Sequence, residues 1–146
     1  YRLDEMSCAL GIAQLERINE ILEKRSKVAE KYKSLLNEID DVKTLEIDNK
    51  TTKMSWFVYV IQLNENINRE QVLEYLRENG IQCKPYFTPI HLQPFYKEKF
   101  GYQRGDFPIT EKVSDSTIAL PFYNNLTNEE IEYVVNKLKK AIKKFK

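Results

Sequence analysis

WFVYVIQLNENINREQVLEYLRENGIQCK, residues 56–84, holds a strand, a helix and a second strand in close succession. Trp56 to Leu63 is rich in β-branched and aromatic residues over eight positions, the length and chemistry of a buried strand. Asn68, with Gln71 three residues on, forms a capping pair that opens a helix from Arg69 to Asn79. Gly80 stops that helix at the position after its C-cap, where a left-handed residue is wanted. Ile81 to Lys84 then reads as a short second strand. The order strand, helix, strand fits a parallel crossover. Val42 to Ile47 offers a third strand, however, so a small mixed or antiparallel sheet flanked by helices is equally open. The class is α+β, a two-layer α/β arrangement.

Working outward to the N-terminus, the apolar positions from Leu3 to Leu36 recur at helical spacing. One straight helix of that span would be about 50 Å long, roughly twice the diameter of a domain of this size, so a bend or break is expected. Asn19 is the first candidate because it can cap a new helix, with Glu20 in its first turn, and Gly11 is the second. Met6 to Leu15 is apolar around most of its circumference, whereas Glu20 to Leu36 has one apolar stripe and a charged face. Met6, Ala9, Leu10, Ile12 and Leu15 are therefore expected to meet another domain or subunit. A plain buried core helix is the alternative.

Toward the C-terminus, GIQCKPYFTPIHLQPFY at 80–96 carries prolines at 85, 89 and 94 and the single histidine, His91. Prolines remove backbone donors and fix φ, so the stretch is expected to run as a stiff, extended loop rather than as helix or central strand. Thr110 to Ser116 reads as a short helix and Ile118 to Leu120 as a strand. Thr127 with Glu130 forms a capping box ahead of the stripe Ile131, Val134, Val135, Leu138 and Ile142. The lysines crowding Lys137 to Lys146 form a solvated face at the favourable end of a helix dipole.

Composition narrows the function. The 146 residues suit one domain, and 23 basic against 22 acidic side chains give a net charge of +1, which speaks against nucleic acid as a partner. Cys8 and Cys83 belong to no C-x-x-C pair, so neither a zinc site nor a redox dithiol is indicated. No apolar run reaches the roughly 20 residues that cross a bilayer, and the expected compartment is the cytoplasm, with no membrane partner.

His91 lacks a second histidine or a cysteine nearby, so metal ligation is not expected of it; a hydrogen bond donated to a ligand, or simple packing in the loop, fits it better. Lys84, beside Pro85 and the aromatics, is placed to meet an anionic ligand. Nothing marks it, or Lys53 in its polar loop, as a desolvated nucleophile. Dinucleotide, P-loop, serine-elbow and zincin motifs are absent from the sequence. No complete active site is legible from residue chemistry alone.

Three segments in order nevertheless resemble one family. YRLDEMSCALGIAQLERINEILEKR at 1–25 looks like a diagnostic segment of the DegT/DnrJ/StrS-type sugar aminotransferases. Pro89-Ile90-His91-Leu92-Gln93-Pro94-Phe95-Tyr96 resembles the family's P-[IL]-H-x-Q-P-x-[FY] pattern, and FPITEKVSDSTIALPFYNNLTNEEI at 107–131 is similar to its C-terminal signature. The resemblance implies the small C-terminal domain of a fold type I pyridoxal phosphate transferase, with a larger N-terminal domain holding the Schiff-base lysine absent from this chain.

By the same resemblance, the parent is a homodimer that moves an amino group from glutamate to a nucleotide-linked keto-deoxyhexose in polysaccharide or glycan precursor synthesis. The cofactor, pyridoxal phosphate, belongs to the parent, so this chain alone is expected to be inactive and to hold none. Arg2 is implied to reach the phosphates of the partner's nucleotide sugar, for which a guanidinium offers a rigid fork of donors. Tyr86 and His91 are implied to face that sugar nucleotide, and Lys84-Pro85-Tyr86-Phe87 looks closest to the perosamine synthetase-like branch. A dehydratase relative with histidine in place of the lysine, or a stand-alone binding module, are the other readings.

Overall fold

The computed structural model describes residues 2–146; Tyr1, the first residue of the N-terminal motif, lies outside the described residues. Helix α1 runs Glu5–Glu16 and helix α2 runs Ile18–Leu36. Asp4 opens α1, its Oδ1 accepting from the Ser7 amide at 2.9 Å and its Oδ2 from the Ser7 hydroxyl at 2.7 Å. This satisfies an amide that the helix itself cannot pair.

The expected break is present, but it falls at Arg17 and not at Asn19 or Gly11. Arg17 takes φ −98° and ψ 4°; its amide donates back to the Gln14 and Leu15 carbonyls while its own carbonyl accepts from Ile21 at 3.1 Å. One residue thus closes the first helix and opens the second without a side-chain cap. Asn19 is otherwise engaged, its Oδ1 accepting from Lys53 Nζ at 3.1 Å.

Strand β1 spans Val42–Thr44 and strand β2 Tyr59–Leu63, both shorter than the sequence suggests. The cause at β2 is Trp56, which sits at φ +49° in the left-handed region and ends the extended run before Tyr59. Helix α3 (Arg69–Glu78) starts on Asn68, whose side chain accepts from the Gln71 amide at 3.2 Å, and is followed by Gly80 at φ +75°. Strand β3 shrinks to Lys84–Pro85. It is an edge strand, where a proline's missing donor leaves no ladder bond unmade.

The proline stretch departs from the expectation of a purely extended loop. A 3₁₀ turn covers Ile90–Leu92 and helix α4 covers Pro94–Phe100. Pro94 is the first residue of α4, the one helical position whose amide has no partner in any case. Helix α5 (Pro108–Ser116) likewise begins on a proline, two residues ahead of the expected start, and runs directly into strand β4 (Thr117–Leu120). Helix α6 (Asn128–Phe145) carries the expected capping box: Glu130 N to Thr127 Oγ1 at 3.2 Å, and Thr127 N to a Glu130 carboxylate oxygen at 2.8 Å.

The sheet order is β1-β2-β4-β3, with every neighbouring pair antiparallel, which answers the question left open by the strand-helix-strand order. Strand β4 intervenes between β2 and β3, and because each is antiparallel to it, β2 and β3 run parallel to one another, joined through α3 as a crossover with β4 inserted between them. Tyr59, Ile61 and Leu63 alternate onto one face and meet Ile118 and Leu120 there. Helices α2, α3 and α6 cover that face with Tyr32, Leu36, Val72, Leu73, Leu76 and Leu138, all fully buried. Each such side chain contributes about 1.5–3 kcal/mol of burial. This is the small α+β lobe with a bent N-terminal helical segment that the sequence implies.

Helix α1 stands apart from this core. Its main packing is on α2, it has no buried residue, and it leaves Met6, Leu10, Ile12 and Leu15 exposed. No described helix is long and apolar enough to cross a membrane.

Candidate functional site

The second face of the sheet lacks a full helical cover. Because residues directly opposite in an antiparallel ladder share a face, the registers place Lys43, Gln62 and Thr117 in one row and Val60, Ala119 and Lys84 in the next. Two lysines thus flank a mixed strip of Gln62, Thr117, Val60 and Ala119. Helix α5 leans over part of it, fastened by Gln62 Nε2 donating to Ser116 Oγ at 3.0 Å.

Tyr86 follows β3 and turns onto this face, where it is half-buried. It lines a groove of about 310 Å³ with Trp56, Val58, Val60 and Val113 among its walls, and a second of about 360 Å³ with Phe87, Pro89, Ile90 and Ile109. Lys84 is exposed and lines a separate shallow cleft with Arg77 and Gln82. The Arg77 Nε–H donates to the Cys83 carbonyl at 3.3 Å, which keeps that guanidinium beside the strand. Lys84 and Tyr86 are therefore neighbours in the chain that face different depressions.

His91 is buried. Its Nε2 lies 2.9 Å from Glu111 Oε1 across 20 residues of sequence, and both side chains are less than one tenth exposed. Phe107 and Tyr102 pack on the imidazole with ring centroids at 4.7 and 6.4 Å. Glu111 also accepts from the Gly105 amide at 2.9 Å and the Phe107 amide at 3.3 Å. Gly105 takes φ +103°, a conformation that turns its amide into the carboxylate and that L side chains rarely adopt. Burial works against the charged Glu111 carboxylate. The Gly105 amide, the His91 ring and the Phe107 amide outweigh it and hold its pKa below the usual range.

The loop has a second fastening at Ser114, whose hydroxyl donates to the Phe87 carbonyl at 2.6 Å. Both anchors lie on α5. The aromatic loop is thus held along its inner edge while Phe87 and Ile90 remain exposed along its outer one.

Arg2 stands exposed ahead of α1 and lines none of the grooves that hold Tyr86 or Lys84. Of the four residues singled out in the sequence, only Lys84 and Tyr86 share one side of the sheet, and His91 braces the loop that carries Tyr86. Glu111 escaped the sequence reading. Its signal was local: an acid in the first turn of a helix that starts on Pro108, just after a Gly-Asp-Phe turn.

No described residues form a cluster of three or more metal-ligating side chains. Every lysine among them is exposed or half-buried, Lys53 and Lys84 included. A Schiff-base lysine needs a desolvated amine, so these residues do not by themselves build a pyridoxal phosphate site.

The family model described as the DegT/DnrJ/EryC1/StrS aminotransferase family matches residues 1–139. An uncharacterized protein of Methanocaldococcus jannaschii is 32% identical over 145 residues, covering 97% of this chain and 37% of its own length. A GDP-perosamine synthase of Vibrio cholerae is 28% identical over 140 residues, covering 95% of this chain and 37% of its own. Among solved structures, Helicobacter pylori PseC, an aminotransferase involved in the biosynthesis of pseudoaminic acid, superposes with a TM-score of 0.86 at 23% identity over 99% of this chain and 39% of that one. The last is a likeness of fold. The chain spans somewhat over a third of the length of these relatives.

Proposed function

Since the chain belongs to the DegT/DnrJ/EryC1/StrS aminotransferase family, we propose that it is the C-terminal, substrate-positioning domain of a pyridoxal phosphate-dependent nucleotide-sugar aminotransferase acting in polysaccharide or glycan precursor synthesis. The observation that carries this reading is the pairing of a rigid aromatic loop, fastened to α5 at His91 and Ser114, with an apolar helix that buries nothing of its own. Both features suit one half of a site completed by another domain or subunit. A homodimeric parent supplies that second half.

Pyridoxal phosphate, held elsewhere in the parent, supplies the electron sink for amino transfer. Covalent chemistry is assigned to no residue of this chain. Tyr86 offers an aromatic wall and a hydroxyl to the sugar nucleotide, and Lys84 and Arg2 offer cationic donors to its phosphates. The ring of His91 sits under the same loop. Glutamate is the amino donor and a 4-keto-6-deoxyhexose the acceptor, a choice supported by the similarity to GDP-perosamine synthases.

The test is amino transfer by the full-length parent from glutamate to a panel of 4-keto and 3-keto nucleotide sugars, with the aminated product identified by mass. A parent that aminates none of the panel, or that carries histidine at the upstream lysine position and dehydrates the sugar, refutes the proposal.

A further inference from the structure

Thr117 carries a hydroxyl that the chain itself does not use. The residue is only 6% exposed, yet its Oγ1 has no hydrogen-bond partner among the described residues. No sealed side-chain nitrogen or oxygen among them lacks a partner, so this oxygen is open to solvent. The openings that Thr117 lines are the two grooves beside Tyr86, on the uncovered face of the sheet. An unmatched polar group at so buried a place costs stability unless something meets it.

Its neighbours in the groove of about 310 Å³ are also free to bond. Ser116 Oγ donates to the Lys112 carbonyl at 2.8 Å, so its oxygen accepts from Gln62, and the Gln62 amide is fixed with Nε2 toward it. Gln62 Oε1 is left as an open acceptor. Lys43, exposed on the edge strand β1, lines the same groove. The registers put Lys43, Gln62 and Thr117 in one row, about 10 Å long across two strand spacings.

Trp56, Phe57 and Tyr86 supply aromatic walls. The Trp56 ring is backed by buried Tyr59, with centroids 5.7 Å apart, and the Ser55 carbonyl just before it accepts from Arg25 at 3.4 Å. Aromatic walls beside a row of donor, acceptor and hydroxyl suit a planar heterocycle read along one polar edge. An ammonium only donates, so the atom at Lys43 must accept, and Gln62 Oε1 needs an N–H. A carbonyl next to a ring N–H is the edge of guanine and of uracil. Adenine and cytosine carry an amino group in that place, which meets the lysine donor to donor.

We propose that this groove is a base subsite that takes the lactam edge of guanine or uracil, with Lys43, Gln62 and Thr117 reading the edge and Trp56 and Tyr86 holding the ring. That the base belongs to a nucleotide sugar rests on the function proposed above.

Trp56 is the only tryptophan, so its fluorescence reports on the groove alone. GMP and UMP should quench the chain saturably, with AMP and CMP binding roughly tenfold more weakly. T117V should weaken GMP and UMP roughly two- to tenfold. It should also resist denaturant at least as well as wild type, because no bond within the chain is lost. K43A should erase the preference for GMP over AMP. In the full-length parent, T117V should raise KM for the nucleotide sugar with little change in kcat.

No saturable quenching up to about 10 mM, or equal affinity for all four nucleotides, overturns the subsite. So does a T117V chain that is less stable than wild type or binds as tightly, and so does a parent whose KM is unmoved by T117V because another part of it covers the groove. Should the subsite fail in these ways while the parent aminates its panel, the nucleotide-sugar reading stands. Should GMP or UMP bind as expected while the parent aminates nothing, that reading falls and the groove remains a base site.

Discussion

Helix α1 should make this chain associate with itself. Met6, Leu10, Ile12 and Leu15 are 84, 63, 61 and 68% exposed, so about two thirds of each side chain remains to be covered. Full burial of such a side chain is worth about 1.5–3 kcal/mol, which leaves roughly 1–2 kcal/mol each and about 8–16 kcal/mol for the eight side chains of two copies. Against this stands an association cost of roughly 4–15 kcal/mol. Central values leave roughly 2–3 kcal/mol, a dissociation constant on the order of 10 mM. Sedimentation of the wild-type chain should therefore depend on concentration, and replacing all four side chains by serine should remove the dependence. The single change L10S should already lower association by about tenfold or more, since both copies lose its share. Hydrogen exchange gives a second measure. A 12-residue helix with nothing buried is marginal in water, so α1 amides should gain protection as concentration rises while those of α6 stay constant. A chain whose sedimentation shows no concentration dependence up to about 10 mM, or a serine variant that associates as strongly as wild type, would refute this reasoning.

Other consequences follow from particular contacts. L138A, at a fully buried position of α6, should lower stability by about 2–5 kcal/mol in denaturant unfolding, whereas I109A, at a site 80% exposed, should change it by less than about 0.5 kcal/mol. Removing the Thr127 cap by T127A should cost about 0.5–2 kcal/mol by the same measurement, because the amide of Glu130 loses its partner. Glu111 has a depressed folded pKa, so its contribution is present above the ordinary glutamate value of 4.5 and is lost as the pH falls through the lower folded value. The melting temperatures of wild type and E111Q should accordingly converge in acid and separate toward neutral pH. In the parent, K84A should raise KM for the nucleotide sugar with little change in kcat, read from steady-state kinetics, since an exposed cation that meets a phosphate binds ground state and transition state alike.

What the sequence made legible was local. Asn68 and Thr127 announce the helices they cap because a capping side chain acts within three residues of itself, and Gly80 ends α3 for an equally local reason. The strand lengths were less legible, because the left-handed turn at Trp56 is imposed on a residue type that rarely adopts it. Sheet order was closed to sequence reading altogether. Strand β4 reaches its place between β2 and β3 through pairings of Tyr59 with Leu120 and of Lys84 with Ala119, separations of 61 and 35 residues that no periodicity encodes. Pro94 misled for a different reason. A proline is excluded from a helix interior but welcome at its first residue, and the sequence alone does not say which of the two it occupies.

The site divides along the same line. The sequence singles out Tyr86 and Lys84 as expected ligand contacts, and both lie on the open side of the sheet. The partner of His91 was not, because Glu111 comes from another element 20 residues away and declares itself only when α5 folds back under the loop. That fold-back changes what the loop is. Prolines alone stiffen a chain but leave its direction free, whereas anchors at Phe87 and His91 on one helix fix where its aromatic edge points. A loop so held surrenders little conformational freedom on meeting a ligand or a second subunit, so the exposed Phe87 and Ile90 can turn burial into affinity with little ordering cost. Proline spacing and the contacts of α5 thus serve one end. The first limits how the loop can bend, and the second selects which face it offers.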